Sequence, residues 1–196
     1  MVLMLLSAVE RFSPEAYLTA CKRAVETGDS WRVQTLVAEA KVHLAEPFPS
    51  LAGEIMSYAY TNNCQNMVRE LLNQCTPEQI VAAPPILLRQ AAERLDLQTA
   101  MTLVDKGIQP GNYAADVLHT LTGQHQDWMA EQLLEHGMPV APDNYAAIYV
   151  CLNQKSAGIA KLLLDRGIDL DQYRTWAEKY PKNEGYEEAM EELTSY

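Results

Sequence analysis

The phrase Leu103-Val104-Asp105-Lys106-Gly107-Ile108 returns as Leu133-Leu134-Glu135-His136-Gly137-Met138 and again as Leu163-Leu164-Asp165-Arg166-Gly167-Ile168. Its glycines, at 107, 137 and 167, stand 30 residues apart both times. A fixed period of roughly twenty to fifty residues marks a chain that stacks one supersecondary unit on the next. Seven residues before each glycine stands an alanine, Ala100, Ala130 or Ala160, and an apolar pair stands three and four before it. That spacing puts the small residue and the apolar pair on one helical face, where a neighbouring helix can come close.

The frame extends backwards to Leu71-Leu72 with Val68 and to Leu36-Val37 with Val33, where Cys75 and Ala40 replace the glycine. Five helix pairs result. Their first helices are predicted over 14–26, 50–60, 84–94, 112–122 and 143–153, and their second over 30–41, 65–74, 96–105, 126–135 and 156–165. Polar breaks such as Thr27-Gly28-Asp29-Ser30 and Asn153-Gln154-Lys155 supply the turns between them, with Ser30 and Asp96 as expected N-caps. The glycine of each phrase ends its helix in the left-handed conformation, and Pro110, Pro139 and Pro142 prevent continuation. The expected architecture is an all-α helical repeat solenoid in a single domain, 1–196. It comprises an N-terminal cap (1–13), five pairs (14–170) and a C-terminal capping pair (171–196) with a helix over 184–193.

The chain carries a net charge of −11, and 15 of its 26 acids lie in 101–196 against 7 of its 15 bases. Such a field repels phosphate backbones, so direct nucleic-acid binding is not expected and a basic protein surface is the fitting partner. The apolar opening Met1-Val2-Leu3-Met4-Leu5-Leu6 lacks a basic flank and meets Glu10 and Arg11, which reads as a cap on the first repeat rather than an export signal. No run approaches a membrane span. Cys21, Cys64, Cys75 and Cys151 show no metal-ligand spacing, so no metal or cofactor is expected and a reduced, cytoplasmic setting is.

The stretch Ile159-Ala160-Lys161-Leu162-Leu163-Leu164-Asp165-Arg166-Gly167-Ile168-Asp169-Leu170 resembles the second helix and exit turn of an ankyrin repeat, and Ala91-Ala92 falls where the first helix of that repeat carries its alanine pair. The resemblance covers about residues 80–170. It implies an ankyrin-like α-solenoid that binds proteins through its concave face and inter-repeat loops. Two of the family's motifs are missing: Ala146-Ala147-Ile148-Tyr149 and Ile86-Leu87-Leu88-Arg89 stand where Thr-Pro-Leu-His would, and Lys155-Ser156 and Leu95-Asp96 replace the Gly-His turn. Shortened or irregular finger hairpins are therefore expected.

No nucleophile, base and orienting group recur at catalytic spacing, and the four histidines show no ligand motif. His136 precedes a turn glycine, as Lys106 and Arg166 do, and reads as a C-terminal cap. Tyr113 and Tyr145 recur in Asn112-Tyr113-Ala114-Ala115 and Asn144-Tyr145-Ala146-Ala147, with Tyr173 at a similar point, which suggests either a tyrosine ladder or rings that staple each loop to its helix. Trp31, Trp128 and Trp176 show no common repeat position. The partner-binding candidates are Tyr113, His119, Tyr145 and Tyr149, with the acids Asp116, Asp143, Asp169 and Asp171; Glu178 would extend the acidic surface. A non-catalytic protein-interaction module is the leading expectation, in one form an acidic inhibitor or immunity-type protein masking a basic surface. A structural subunit that self-associates through its apolar start, and an enzyme with an unrecognised site, are the other two readings.

Overall fold

A computed structural model describes residues 13–44, 48–81 and 83–195, with the side chains of 48–50 excepted. The apolar opening read as an N-terminal cap, and Pro47, lie outside the described residues. Among the described residues the chain is all-helical. The first helices of the expected pairs are α1 (Pro14–Glu26), α3 (Phe48–Thr61), α6 (Ile86–Glu93), α8 (Tyr113–Gly123) and α10 (Tyr145–Asn153). The second are α2 (Ser30–His43), α4 (Gln65–Gln74), α7 (Leu97–Asp105), α9 (Asp127–Glu135) and α11 (Ala157–Asp165). Between the second and third pairs lies an unexpected short helix, α5 (Pro77–Val81), and the chain closes with α12 (Leu170–Ala177) and α13 (Tyr186–Thr194).

All five turns between a first and a second helix are built the same way, which accounts for pairs rather than single long helices. One residue takes a left-handed backbone: Gly28 (φ 69), Asn63 (φ 60), Leu95 (φ 54), His125 (φ 56) and Lys155 (φ 61). The next N–H then reaches the carbonyl five residues back, from Asp29 to Ala24 (2.9 Å), Cys64 to Ala59 (2.9 Å), Asp96 to Ala91 (2.9 Å), Gln126 to Leu121 (2.8 Å) and Ser156 to Cys151 (2.9 Å). This closure satisfies carbonyls that a helix end would otherwise leave bare. The absence of a Gly-His turn therefore does not open the repeat; non-glycine residues accept the strain instead. Leu95 is 43% exposed, so the covered part of its side chain offsets only some of that strain. Replacing Leu95 by glycine is expected to raise stability by about 1 kcal/mol, less than the ~1–2 kcal/mol left-handed cost because glycine also loosens the unfolded chain. Urea denaturation of the variant measures it.

The second helices end on the glycines as their sequence implies. Gly137 (φ 99) and Gly167 (φ 97) are left-handed, and Met138 N–H reaches Leu133 O at 2.9 Å, Ile168 N–H reaches Leu163 O at 3.4 Å. The residue before each glycine has a different task from the expected one. Lys106 Nζ donates to Cys75 O (2.6 Å), and Arg166 Nη1 to Met138 O (3.2 Å). His136 Nε2 meets Asp105 Oδ1 at 2.8 Å. Each side chain reaches back to the preceding turn instead of capping its own helix; at the ends of α9 and α11 the last carbonyls are already taken by backbone N–H groups.

The chain divides into two compact units, one comprising Met1–Gln90 with Lys106–Ile108, the other Ala91–Asp105 with Gln109–Tyr196. In the first unit α1 packs on α2 and α3, α2 on α4, and α3 on α4 and α5. In the second, α8, α10 and α12 pack in sequence as one row while α7, α9 and α11 pack as another, continued by α13. Ala100, Ala130 and Ala160 are fully buried, as are Leu133, Leu134 and Leu163. A small residue at one register point of each second helix lets its neighbour approach, so the repeated alanine sets the helix spacing.

One of the two expected caps differs. Asp29, not Ser30, caps α2, its Oδ1 accepting from Arg32 N–H at 3.0 Å. Asp96 caps α7 as its position implies, accepting from Thr99 N–H at 3.3 Å and from Thr99 Oγ1 at 2.8 Å. Among the described residues no helix is long and apolar enough to cross a membrane.

Candidate partner-binding face

The left-handed turn residue gives every pair a common origin for counting. Six residues before it the side chain sits on the open side of the first helix. In the second unit this position is His119 in α8, fully on the exposed side, and Tyr149 in α10, half-buried. Asp116, three residues earlier, is exposed on the same helix. The buried residues of α8 are Ala114, Ala115, Val117, Leu118, Leu121 and Thr122, which leaves 116, 119 and 123 facing outward at helical spacing.

Tyr113 and Tyr145 do not form the ladder that their matching phrases suggest. Tyr113 stands twelve residues before His125 and Tyr145 ten before Lys155, because α8 begins two residues earlier relative to its turn. At about 100° per residue, two residues rotate a side chain to the opposite side of the helix. Tyr173 is fully buried, its hydroxyl 2.7 Å from that of Tyr186. Burial holds its phenol well above the usual tyrosine range.

Instead, α10, α12 and the segment after α12 assemble an aromatic cluster. The Tyr145 hydroxyl donates to Gln172 Oε1 at 2.7 Å, and its ring centre lies 6.1 Å from that of Trp176. Tyr149 meets Trp176 edge-on at 5.8 Å and Tyr180 at 5.8 Å, while Trp176 and Tyr180 lie 4.3 Å apart. The Tyr149 hydroxyl donates to the carbonyl of Pro181. Tyr180 is 43% exposed, so the cluster is a surface feature with a buried base at Tyr173. Rings in tilted and edge-on contact reinforce one another beyond the area they bury.

The acids have local work as well. Asp169 caps α12, accepting from Gln172 N–H at 2.9 Å, and Asp171 meets Arg174 at 3.4 Å from an exposed position. Asp143 is exposed in the loop two residues before Tyr145, and Glu178 is exposed between Trp176 and Tyr180. Asp143, Asp171 and Glu178 therefore stand within two residues of members of the aromatic cluster or of its Gln172 partner, while Asp116 stands on α8.

The first unit carries a groove of about 260 Å³ at the corresponding positions of its own first helices, lined by Lys22, Glu54, Ser57, Tyr58, Thr61 and Pro84. Lys22 Nζ lies 5.3 Å from the centre of the Tyr58 ring, and the Tyr58 hydroxyl donates to Glu26 Oε1 at 2.6 Å. That carboxylate pushes the phenol's pKa up.

Sequence reasoning missed one regularity. Trp31 and Trp128 do share a repeat position, three residues after the left-handed Gly28 and His125, and both are exposed, at 73% and 54%. Aligning the turns rather than the phrase glycines brings this out. Both belong to second helices, and Trp128 Nε1 donates to Gln126 Oε1 at 2.8 Å.

Cys21, Cys75 and Cys151 are buried free thiols. Burial raises all three, Cys21 to about 12, so they pack as small apolar groups and not as thiolate nucleophiles. Among the described residues no group of three or more His, Cys, Asp or Glu side chains is placed to hold a metal ion. No family model, curated protein or solved structure matches the chain.

Proposed function

We propose that the chain is an ankyrin-like helical repeat protein whose first-helix side binds a protein partner with a basic surface. The observation that carries the reading is the coincidence, on α10, α12 and the segments beside them, of surface aromatic rings, Tyr145, Tyr149, Trp176 and Tyr180, with exposed carboxylates at Asp143, Asp171 and Glu178. Rings contribute contact area at small entropic cost, and carboxylates around them favour lysine and arginine on the partner. The stacked rows of α8, α10, α12 and of α7, α9, α11, α13 support the repeat architecture. Masking of a basic surface, as an inhibitor or immunity-type protein would achieve, is the form of binding that the net charge of −11 favours.

Affinity capture from lysate, repeated with Tyr145→Ala and His119→Ala, tests this reading. Both variants should stay folded, since both side chains are at least partly exposed, and both should lose the same captured protein. Retention of that protein by both variants would exclude the face. Increased retention as salt falls is expected too, because attraction between exposed charges is screened by ions.

A further inference from the structure

The chain itself shows how a non-helical segment sits on a first helix. Between α12 and α13 the backbone does not make the short turn of the other pairs; Tyr180, Pro181 and Asn183 meet α10 instead. Tyr149, six residues before the left-handed Lys155, donates its hydroxyl to Pro181 O. Asn153, two before it, accepts Asn183 N–H on Oδ1 at 2.8 Å. Both contacts are to main chain. Farther along, Lys155 packs against Gly185, where an added Cβ would meet Nζ at 2.7 Å, and Lys182 is held over Tyr186 at 4.9 Å and by Glu187 at 3.1 Å.

The same register in the first unit offers the same chemistry. Six before the left-handed residue stand Lys22 and Ser57, both donors like Tyr149; two before it stand Glu26 and Thr61, both acceptors like Asn153. Lys22, Ser57 and Thr61 line the groove of about 260 Å³, with Pro84 as an apolar wall. In α8 the pattern stops, because His119 is followed by Gly123, which has no acceptor.

We propose that this groove in the first unit takes a non-helical, proline-bearing segment of a partner protein by its main chain, as α10 takes Pro181 and Asn183. Donors at the first position hold a peptide carbonyl, the acceptor at the second holds the N–H two residues on, and the proline ring covers Pro84 and the Tyr58 edge. The inference rests on the reading of the first-helix side as the binding side, and it fails by a different measurement from that reading.

The probe is a synthetic hexapeptide with the sequence of residues 180–185, added to the full chain labelled with ¹⁵N. Saturable amide shifts at Ser57, Tyr58 and Thr61 are expected, with at least a tenfold weaker response in Thr61→Arg, which fills the groove from an exposed position. Lys22→Met, which keeps the stem and removes the donor, should weaken binding likewise and serves if Thr61→Arg is unfolded. A peptide of the same composition in scrambled order should not saturate. Absence of shifts at these residues, unchanged titration in the variants, or shifts confined to Tyr149 and Asn153 would overturn the proposal. Failure of capture by the intact chain, with the peptide titration positive, would instead count against the larger reading alone.

Discussion

Raising the pH from 9 to 12 is expected to remove most of the protein's stability. The ordinary thiol value is 9.0, and burial lifts Cys21 to about 12 and lifts Cys75 and Cys151 as well. Below pH 9 these thiols are protonated in both folded and unfolded chains and do not affect the balance. Above it the unfolded chain releases protons that the folded chain retains, so stability falls with rising pH until the folded thiols ionise too. Cys21 and Cys151 each contribute a slope of about 1.4 kcal/mol per pH unit, about 3 kcal/mol per unit together, and Cys75 adds to the loss in the same direction. A typical domain has only about 5–15 kcal/mol in all. From pH 10 the raised phenol of Tyr173 steepens the loss. Urea midpoints at pH 8, 9.5 and 11 read the effect, and Cys21→Ala with Cys151→Ala should flatten it; a midpoint constant to pH 11 would show that the thiols are not buried.

Tyr173→Ala should be the most damaging single substitution in the C-terminal part of the chain. Tyr173 is fully buried, and truncating a buried aromatic ring costs about 3–5 kcal/mol. Tyr173→Phe separates the two components. It keeps the ring but leaves the Tyr186 hydroxyl, at 2.7 Å in the native protein, without its partner, which costs about 1–3 kcal/mol. Because the Tyr173 and Trp176 rings lie 6.4 Å apart, the alanine variant should also loosen the surface cluster, seen as reduced anisotropy of Trp176 fluorescence in a chain where Trp31 and Trp128 are phenylalanine. An alanine variant as stable as the native chain would mean that α12 and α13 do not share a core.

The helices were legible where apolar spacing and turn residues agree, as in α1, α4 and α9. The short helix α5 was not expected, although its start carries a signal for it. Thr76-Pro77-Glu78-Gln79 places proline in the first turn and a glutamine whose Oε1 reaches back to Thr76 N–H at 2.8 Å, the sequence form of a capping box. The site was harder to read. Tyr113 and Tyr145 share a phrase yet differ in register, because a repeat is anchored at its turn and tolerates extra residues at the helix start. The grouping of Tyr149 with Tyr180 depends on the segment after α12 returning to α10, which no period within the chain encodes. The reach of Lys106, His136 and Arg166 to the preceding turn likewise follows from stacking and not from any local pattern.

The most direct test sets the two sides of the second unit against each other. Affinity for the captured partner should fall at least tenfold in Tyr145→Ala and stay within twofold in Trp128→Ala, since Trp128 is exposed on the second-helix side. The opposite result, with binding lost on removal of Trp128 and kept on removal of Tyr145, would contradict the assignment of the binding face.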